Sequence, residues 1–168
     1  MSQRINSATI EKEENLKQII GFKIKDEEYG LEILKVNEVI RIKKITKLPK
    51  APDFVKGVIN LRGDVIPIID LREKFGISGD KYSETKRVII VEVEERSMGI
   101  IVDSVSHVIR IAESQIDTSP FLGGISKEFI SGVIKFDERL IVLLNIDKIL
   151  TTEEKIEMDK IQYSNTKN

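Results

Sequence analysis

The chain has 168 residues, with 27 Lys plus Arg against 28 Asp plus Glu, for a formal net charge of −1. A balance this even gives no general reason to bind polyanions such as DNA, RNA or an acidic membrane surface. Cys is absent, which excludes disulfides and thiolate metal sites, and the single His, His107, excludes a multi-histidine metal centre. Residues 1–17 are polar and mixed in charge, with no apolar signal region, so they read as a flexible arm and a cytoplasmic location is expected. The longest pure apolar run, LIVLL at 140–144, has five residues, against the roughly 18 that a membrane span needs. Ile occurs 29 times and Val 13 times. These β-branched side chains lose rotamer freedom in helices and pack well on pleated sheets, so a mainly β fold is predicted.

Short apolar runs with period-two texture fill residues 18–150. In chain order they are IIGFKIK, GLEIL, KVNEVIRI, GVINL, VIPIID, RVIIVEV, GIIVD, SVSHVIRI, GVIKF and RLIVLL. Ten short strands separated by Gly, Asp, Glu and Pro signals predict small barrels or a sandwich. Ile59 and Leu61 share one face of their strand, as Ile134 and Phe136 do of theirs, and should point into a barrel. VIPII and LIVLL are apolar on both faces, which predicts burial on both sides. Pro67 lacks a ladder donor, which predicts an edge or a bulge. DLREKFG (70–76) and NIDKIL (145–150) read as short helical turns with Asp70 and Asn145 as N-caps. Thr151 followed by Glu154 fits a capping box, so a C-terminal helix is predicted over 151–161, with 162–168 as a flexible tail.

The strands form two similar sets. FKIKDEEYGLEILKVNEVIRI (22–42) aligns without a gap on VEVEERSMGIIVDSVSHVIRI (91–111), at an offset of 69. FVKGVINLRGDVIPIIDLREKF (54–75) aligns on FISGVIKFDERLIVLLNIDKIL (129–150), at an offset of 75. The copies span roughly 22–75 and 91–150. Each supplies five strands, enough for one small barrel, and two copies are too few for a solenoid. The fold class predicted is a duplicated pair of five-stranded barrels packed face to face.

No phosphate loop, HExxH, calcium loop or GxSxG occurs. His107 sits mid-strand with no second ligand type beside it and reads as a surface residue. Arg62-Gly63-Asp64 reads as a hairpin turn in which Gly63 supplies a positive φ. The basic stretch RIKKITKLPK (41–50) has no interleaved aromatics, so it reads as a solvated loop rather than a nucleic-acid reader. Ile45 and Leu48 on that loop are candidate contact points for another protein. Glu38 shares a strand face with Val36 and Ile40, and could pair with Arg62. The second copy has His107 and Asp137 at those places. An exposed pair adds little to stability, which favours a role in orienting a partner-binding surface. A small-barrel nucleic-acid binder is the alternative from another class, and predicts a net basic face. A small enzyme predicts a pocket of clustered polar groups, which the shortage of His, Cys and Trp disfavours.

The run FVKGVINLRGDVIPIIDLREKFG, with DEEYGLEILKVNEVI, GIIVDSVSHVI and FISGVIKFDERLIVLLNIDKIL, resembles the CheW family of chemotaxis coupling domains. The likeness covers about residues 18–150, and NLRG followed by VIPIIDLR is its most specific part. It implies two five-stranded SH3-like β-barrels, short helices and a C-terminal helix. The same domain occurs in the kinase CheA and the adaptor CheV; 168 residues leave no room for a kinase or receiver domain, so a free-standing form is expected. The resemblance implies a non-catalytic adaptor with no cofactor or metal. Its partners would be the cytoplasmic tips of methyl-accepting chemoreceptors and the regulatory domain of CheA, in membrane receptor arrays without insertion of its own. A chemosensory pathway driving type IV pili is an alternative setting. Carried over by position, receptor contact falls on Val36, Glu38, Gly57 and Arg62, with Val105 and Val108 from the second barrel. One kinase contact falls on Ile45 and Leu48, and a second on Pro120, Phe121 and Leu122.

Overall fold

A computed structural model describes residues 16–77, 85–118 and 129–166. The first copy supplies β1 (Leu16–Ile24), β2 (Glu27–Glu32), β3 (Val36–Arg41), β4 (Val55–Leu61) and β5 (Asp64–Asp70), then the short helix α1 (Leu71–Phe75). The second supplies β6 (Arg87–Val93), β7 (Arg96–Val102), β8 (Ser104–Ala112), β9 (Ile116–Asp117), β10 (Ile130–Phe136) and β11 (Arg139–Leu144). Helix α2 (Thr152–Thr166) follows. The strands form two sheets, in the orders β3-β6-β7-β5-β4 and β8-β1-β2-β11-β10-β9.

The copies interlock by exchanging hairpins. β1 and β2 belong to the first copy yet sit between β8 and β11. β6 and β7 belong to the second copy yet sit between β3 and β5. The cross-copy seams are parallel in both sheets, and their registers match under the duplication. Ile68 pairs with Gly99, and Leu143 with Gly30. The connectors leave no room for a return within one sheet. Only the turn Ile33–Lys35 separates β2 from β3, and only Asp103 separates β7 from β8.

Both sheets curl into barrels. In the first, the chain beyond β3 returns to β4, where Thr46 and Val58 exchange two backbone hydrogen bonds of 2.8 and 2.9 Å. In the second, β9 pairs with β10 at the equivalent place and counts as a sixth strand. Ile59, Leu61, Ile66, Ile68, Val88 and Ile90 fill the first barrel. Ile19, Ile111, Ile134, Ile141 and Leu143 fill the second, with Phe136 packed beside them. A third and larger core lies between them. It includes Phe22 and Tyr29 from the first copy and Val91, Ile100 and Leu144 from the second. Burying each such side chain contributes about 1.5–3 kcal/mol. The strands apolar on both faces are the ones shared between cores. Ile66 and Ile68 face the barrel interior while Ile69 faces the seam. An aromatic stack runs along the seam, with centroid spacings of 5.9 Å for Phe22–Tyr29, 5.8 Å for Tyr29–Phe75 and 5.1 Å for Phe75–Phe129.

The caps form as the sequence predicts. The Arg72 backbone N–H donates to Asp70 Oδ1 at 2.9 Å, and that of Asp147 to Asn145 Oδ1 at 3.1 Å. Thr151 N–H donates to Glu154 Oε1 at 2.8 Å and Glu154 N–H to Thr151 Oγ1 at 3.1 Å, closing the capping box. Met158 is buried in the seam, and Glu154 pairs with Lys74, which anchors α2. The structure departs from three expectations. β5 is flanked on both sides rather than lying at an edge, although a bulge does fall beside Pro67, on β4 between Val55 and Gly57, and the pairing to β7 begins only at Ile68. Leu16 and Lys17 belong to β1, paired with Ala112 and Ile111, rather than to the arm. α2 continues to Thr166, past the expected end at 161. A polar run carries no apolar period, so neither extension shows in the pattern.

Gly57 shows how tightly the closure is built. Its φ is +145°, and a Cβ there would lie 2.2 Å from the Thr46 carbonyl oxygen. Gly63, with φ +92°, has open space around it, and a Cβ there would meet nothing within 4 Å. Gly57→Ala is therefore expected to lower the urea-unfolding free energy by roughly 2 kcal/mol or more, and Gly63→Ala by clearly less. Equal losses would show that the approach to Thr46 is not what constrains Gly57.

Candidate functional site

Val36, Glu38, Gly57 and Arg62 of the first copy lie where barrel closure brings two sheet edges together. β3 and β4 are the outermost strands of the first sheet. Along β3, Val36, Glu38 and Ile40 are half-buried, while Asn37, Val39 and Arg41 are exposed. A bulge between Val36 and Glu38 shifts the register against β6. Arg62 opens the two-residue turn from β4 to β5 with φ +52°, a left-handed conformation that suits this type of hairpin. The Gly63 N–H donates to Asn60 Oδ1 at 2.7 Å and fixes that turn. Arg62 Nη2 then donates to Glu38 Oε2 at 2.7 Å. The strands are not ladder neighbours, so the curl of the sheet makes this contact.

The Arg62 side chain remains 68% exposed and that of Glu38 32% exposed. The hydrogen bond from Arg62 holds the Glu38 carboxyl below its ordinary range, against a smaller opposing effect of desolvation; Lys43 adds to the lowering. The same bond raises the Arg62 pKa. The result is a cation held in a fixed position at the surface beside the half-buried Val36.

The second copy repeats the frame without the pair. Val105 and Val36 both pack against the seam core. Val108 is 47% exposed on β8. His107 and Asp137 occupy the places of Glu38 and Arg62, with no ion pair between them. Gly57 is buried under Thr46 and Ile45, so it presents no side chain to a partner and acts through the backbone it shapes. Ile45 packs on the first barrel's core, and Leu48 is half-buried further along the same loop. Pro120, Phe121 and Leu122 lie outside the described residues.

Leu34, which sequence reasoning missed, is 90% exposed at the turn between β2 and β3. With Leu16, Ile33 and Arg110 it lines a surface cleft of about 590 Å³. The Lys17–Glu32 bond of 2.9 Å lies in the same cleft. Leu34 reads in sequence as part of the strand GLEIL, and only the three-residue turn in its place exposes it.

A family model described as the CheW-like domain matches residues 18–154. The chain belongs to the CheW family of chemotaxis scaffold proteins. The chemotaxis protein CheW of Klebsiella aerogenes is 39% identical over 148 residues, covering 88% of this chain and 89% of that protein. CheW of Helicobacter pylori is 36% identical over 140 residues, covering 83% and 85%. The crystal structure of the scaffolding protein TtCheW from Thermoanaerobacter tengcongensis superposes with a TM-score of 0.76 at 39% identity, covering 82% of this chain and 90% of that one. The CheW fold therefore extends over both barrels and their exchanged hairpins.

The Arg62–Glu38 pair generates a prediction for this family member. A carboxylate with a lowered folded-state pKa contributes its stabilising contact above the ordinary carboxylate range, and loses it as pH falls through the lowered value. Arg62→Ala is expected to return the Glu38 carboxyl to its ordinary titration, followed by carboxyl-detected NMR. The thermal midpoint at neutral pH should barely move, because Arg62 is exposed and solvent screens its pairing with the half-buried Glu38. An unchanged Glu38 titration would mean that the pair does not persist in solution.

Proposed function

We propose that the protein is a non-catalytic adaptor that couples methyl-accepting chemoreceptors to the histidine kinase CheA. The observation that carries this reading is the Arg62–Glu38 pair, fixed by a tight turn at 2.7 Å, with Arg62 exposed and Glu38 half-buried. A pair placed so adds little to folding, whereas a preorganised charge beside apolar Val36 suits recognition of another protein. Receptor contact is assigned to Val36, Glu38, Arg62, Val105 and Val108, with Gly57 shaping the backbone below them. Kinase contact is assigned to Ile45 and Leu48, and to Pro120, Phe121 and Leu122.

The mechanism is coupling through a shared rigid body. A helical receptor tip lays apolar side chains into a groove between the barrels. A barrel loop holds the kinase's regulatory domain at the same time. Two individually weak contacts, each about −8 kcal/mol at micromolar affinity, become strong when many are joined in an array. The protein itself stays in the cytoplasm and reaches the membrane through the receptors. Among the described residues no helix is long and apolar enough to cross a membrane.

Co-sedimentation with receptor signalling fragments and CheA tests this reading. The protein is expected to enter the pellet only when receptor fragments are present, to bring CheA with it, and to change the kinase's phosphorylation rate. Arg62→Glu should remove the protein from the receptor pellet while leaving its thermal unfolding nearly intact. Pelleting with neither partner, or loss of fold in the variant, contradicts the assignment.

A further inference from the structure

The stretch leading from the end of β3 towards β4 carries Arg41, Lys43, Lys44, Lys47 and Lys50, five cations in ten residues without one acid. All five are exposed. None closes a salt bridge with another described residue, and Lys43 only adds to the field on Glu38. Several lysines elsewhere do close such pairs. Lys17 meets Glu32, Lys35 meets Asp147, and Lys155 meets Glu94. With a chain net charge of −1, the loop is a local excess rather than part of a general basicity.

The loop is also anchored. Thr46 is bonded to Val58 in both directions, and Ile45 packs into the first barrel's core. Its charges are therefore displayed from a held backbone, around the half-buried Ile45 and Leu48. An apolar centre ringed by unneutralised cations matches a protein surface better than other polyanions. Single-stranded nucleic acid is gripped by stacking on aromatics, and residues 41–50 contain none. A membrane surface takes an amphipathic helix with a broad apolar face, and residues 42–50 form no helix.

We propose that this loop docks an acidic protein surface, an apolar spot rimmed by Asp and Glu, and that this surface belongs to the kinase's regulatory domain. The proposal rests on the kinase reading of Ile45 and Leu48 and adds the charge of the partner. Opposite charge steers encounter and fixes orientation, and salt screens it, with a Debye length of about 10 Å at 0.1 M.

The test measures binding of the full chain to the regulatory domain of CheA from the same organism, by calorimetry at 50 and 500 mM NaCl. Wild type is expected to weaken about tenfold across that range. K44E/K47E/K50E is expected to weaken at least about tenfold at 50 mM and to lose most of the salt dependence, with circular dichroism and receptor-fragment binding unchanged. K44Q/K47Q/K50Q should fall between the two, and stands in if the reversed variant misfolds. A triple variant with wild-type affinity and salt response overturns the proposal while leaving the kinase reading intact. Wild type that fails to bind the domain at 50 mM overturns both. Loop-dependent retention of a labelled single-stranded RNA or of phosphatidylserine vesicles at 150 mM, with kinase binding indifferent to the loop, assigns the surface to a different polyanion and also overturns it.

Discussion

Neither barrel is complete without a hairpin from the other copy. β1 and β2 finish the sheet built on β8, β10 and β11, and β6 and β7 finish the sheet built on β3, β4 and β5. The exchange makes the seam unavoidable. A strand that crosses between copies shows one face to a barrel interior and the other to the joint between barrels. Val88 and Ile90 fill the first barrel while Ile89, Val91 and Val93, on the same strand, fill the seam. Polar contacts reinforce this. Asp103 accepts from the Lys25 backbone and pairs with Arg72, tying the β1–β2 turn to α1 across the copies. Lys35 meets Asp147 at 2.9 Å, tying the β2–β3 turn to the segment after β11.

A body so fixed internally leaves its edges for other work. Residues at the outer strands, Val36 and Glu38 on β3 and Val108 on β8, stand on equivalent frames with unequal chemistry. Duplication supplies two matched edges, and substitution makes them different. Arg62 and Glu38 decorate one; His107 and Asp137 stand at the same places on the other without meeting. An adaptor that must tell one partner from another needs such inequality. The left-handed turn at Arg62 and the buried Gly57 belong to the closure of the barrel, so the geometry of the proposed contact surface is inherited from the fold.

Much of this fold is legible in the amino-acid sequence. Gly30 matching Gly99 and Gly57 matching Gly132 mark the duplication, because neighbouring atoms crowd the space a Cβ would take at each of them. Two-sided apolar runs mark the strands shared between cores, although Leu140 at the start of LIVLL is 60% exposed, and Asp70, Asn145 and Thr151 mark their caps. The exchange of hairpins is not readable. Period-two texture says which face of a strand is buried but not which strand lies beside it. Pro67 misleads for that reason, since the pairing of β5 to β7 starts just beyond it. The Glu38–Arg62 contact is inferable from facing and charge, yet the reason it forms is barrel closure rather than strand adjacency. Leu34 is hidden because a three-residue turn and a strand end look alike in a short apolar run.

Native-state hydrogen exchange on the Ile89→Ala protein tests the central claim that the seam makes one cooperative body of two barrels. Ile89 is fully buried in the seam and belongs to the exchanged β6. Its truncation is expected to lower the opening free energy by about 2–5 kcal/mol. Amides of β10 in the second barrel should lose protection by the same amount as those of β4 in the first. Loss confined to the first sheet, or two separate unfolding transitions, would contradict a shared core.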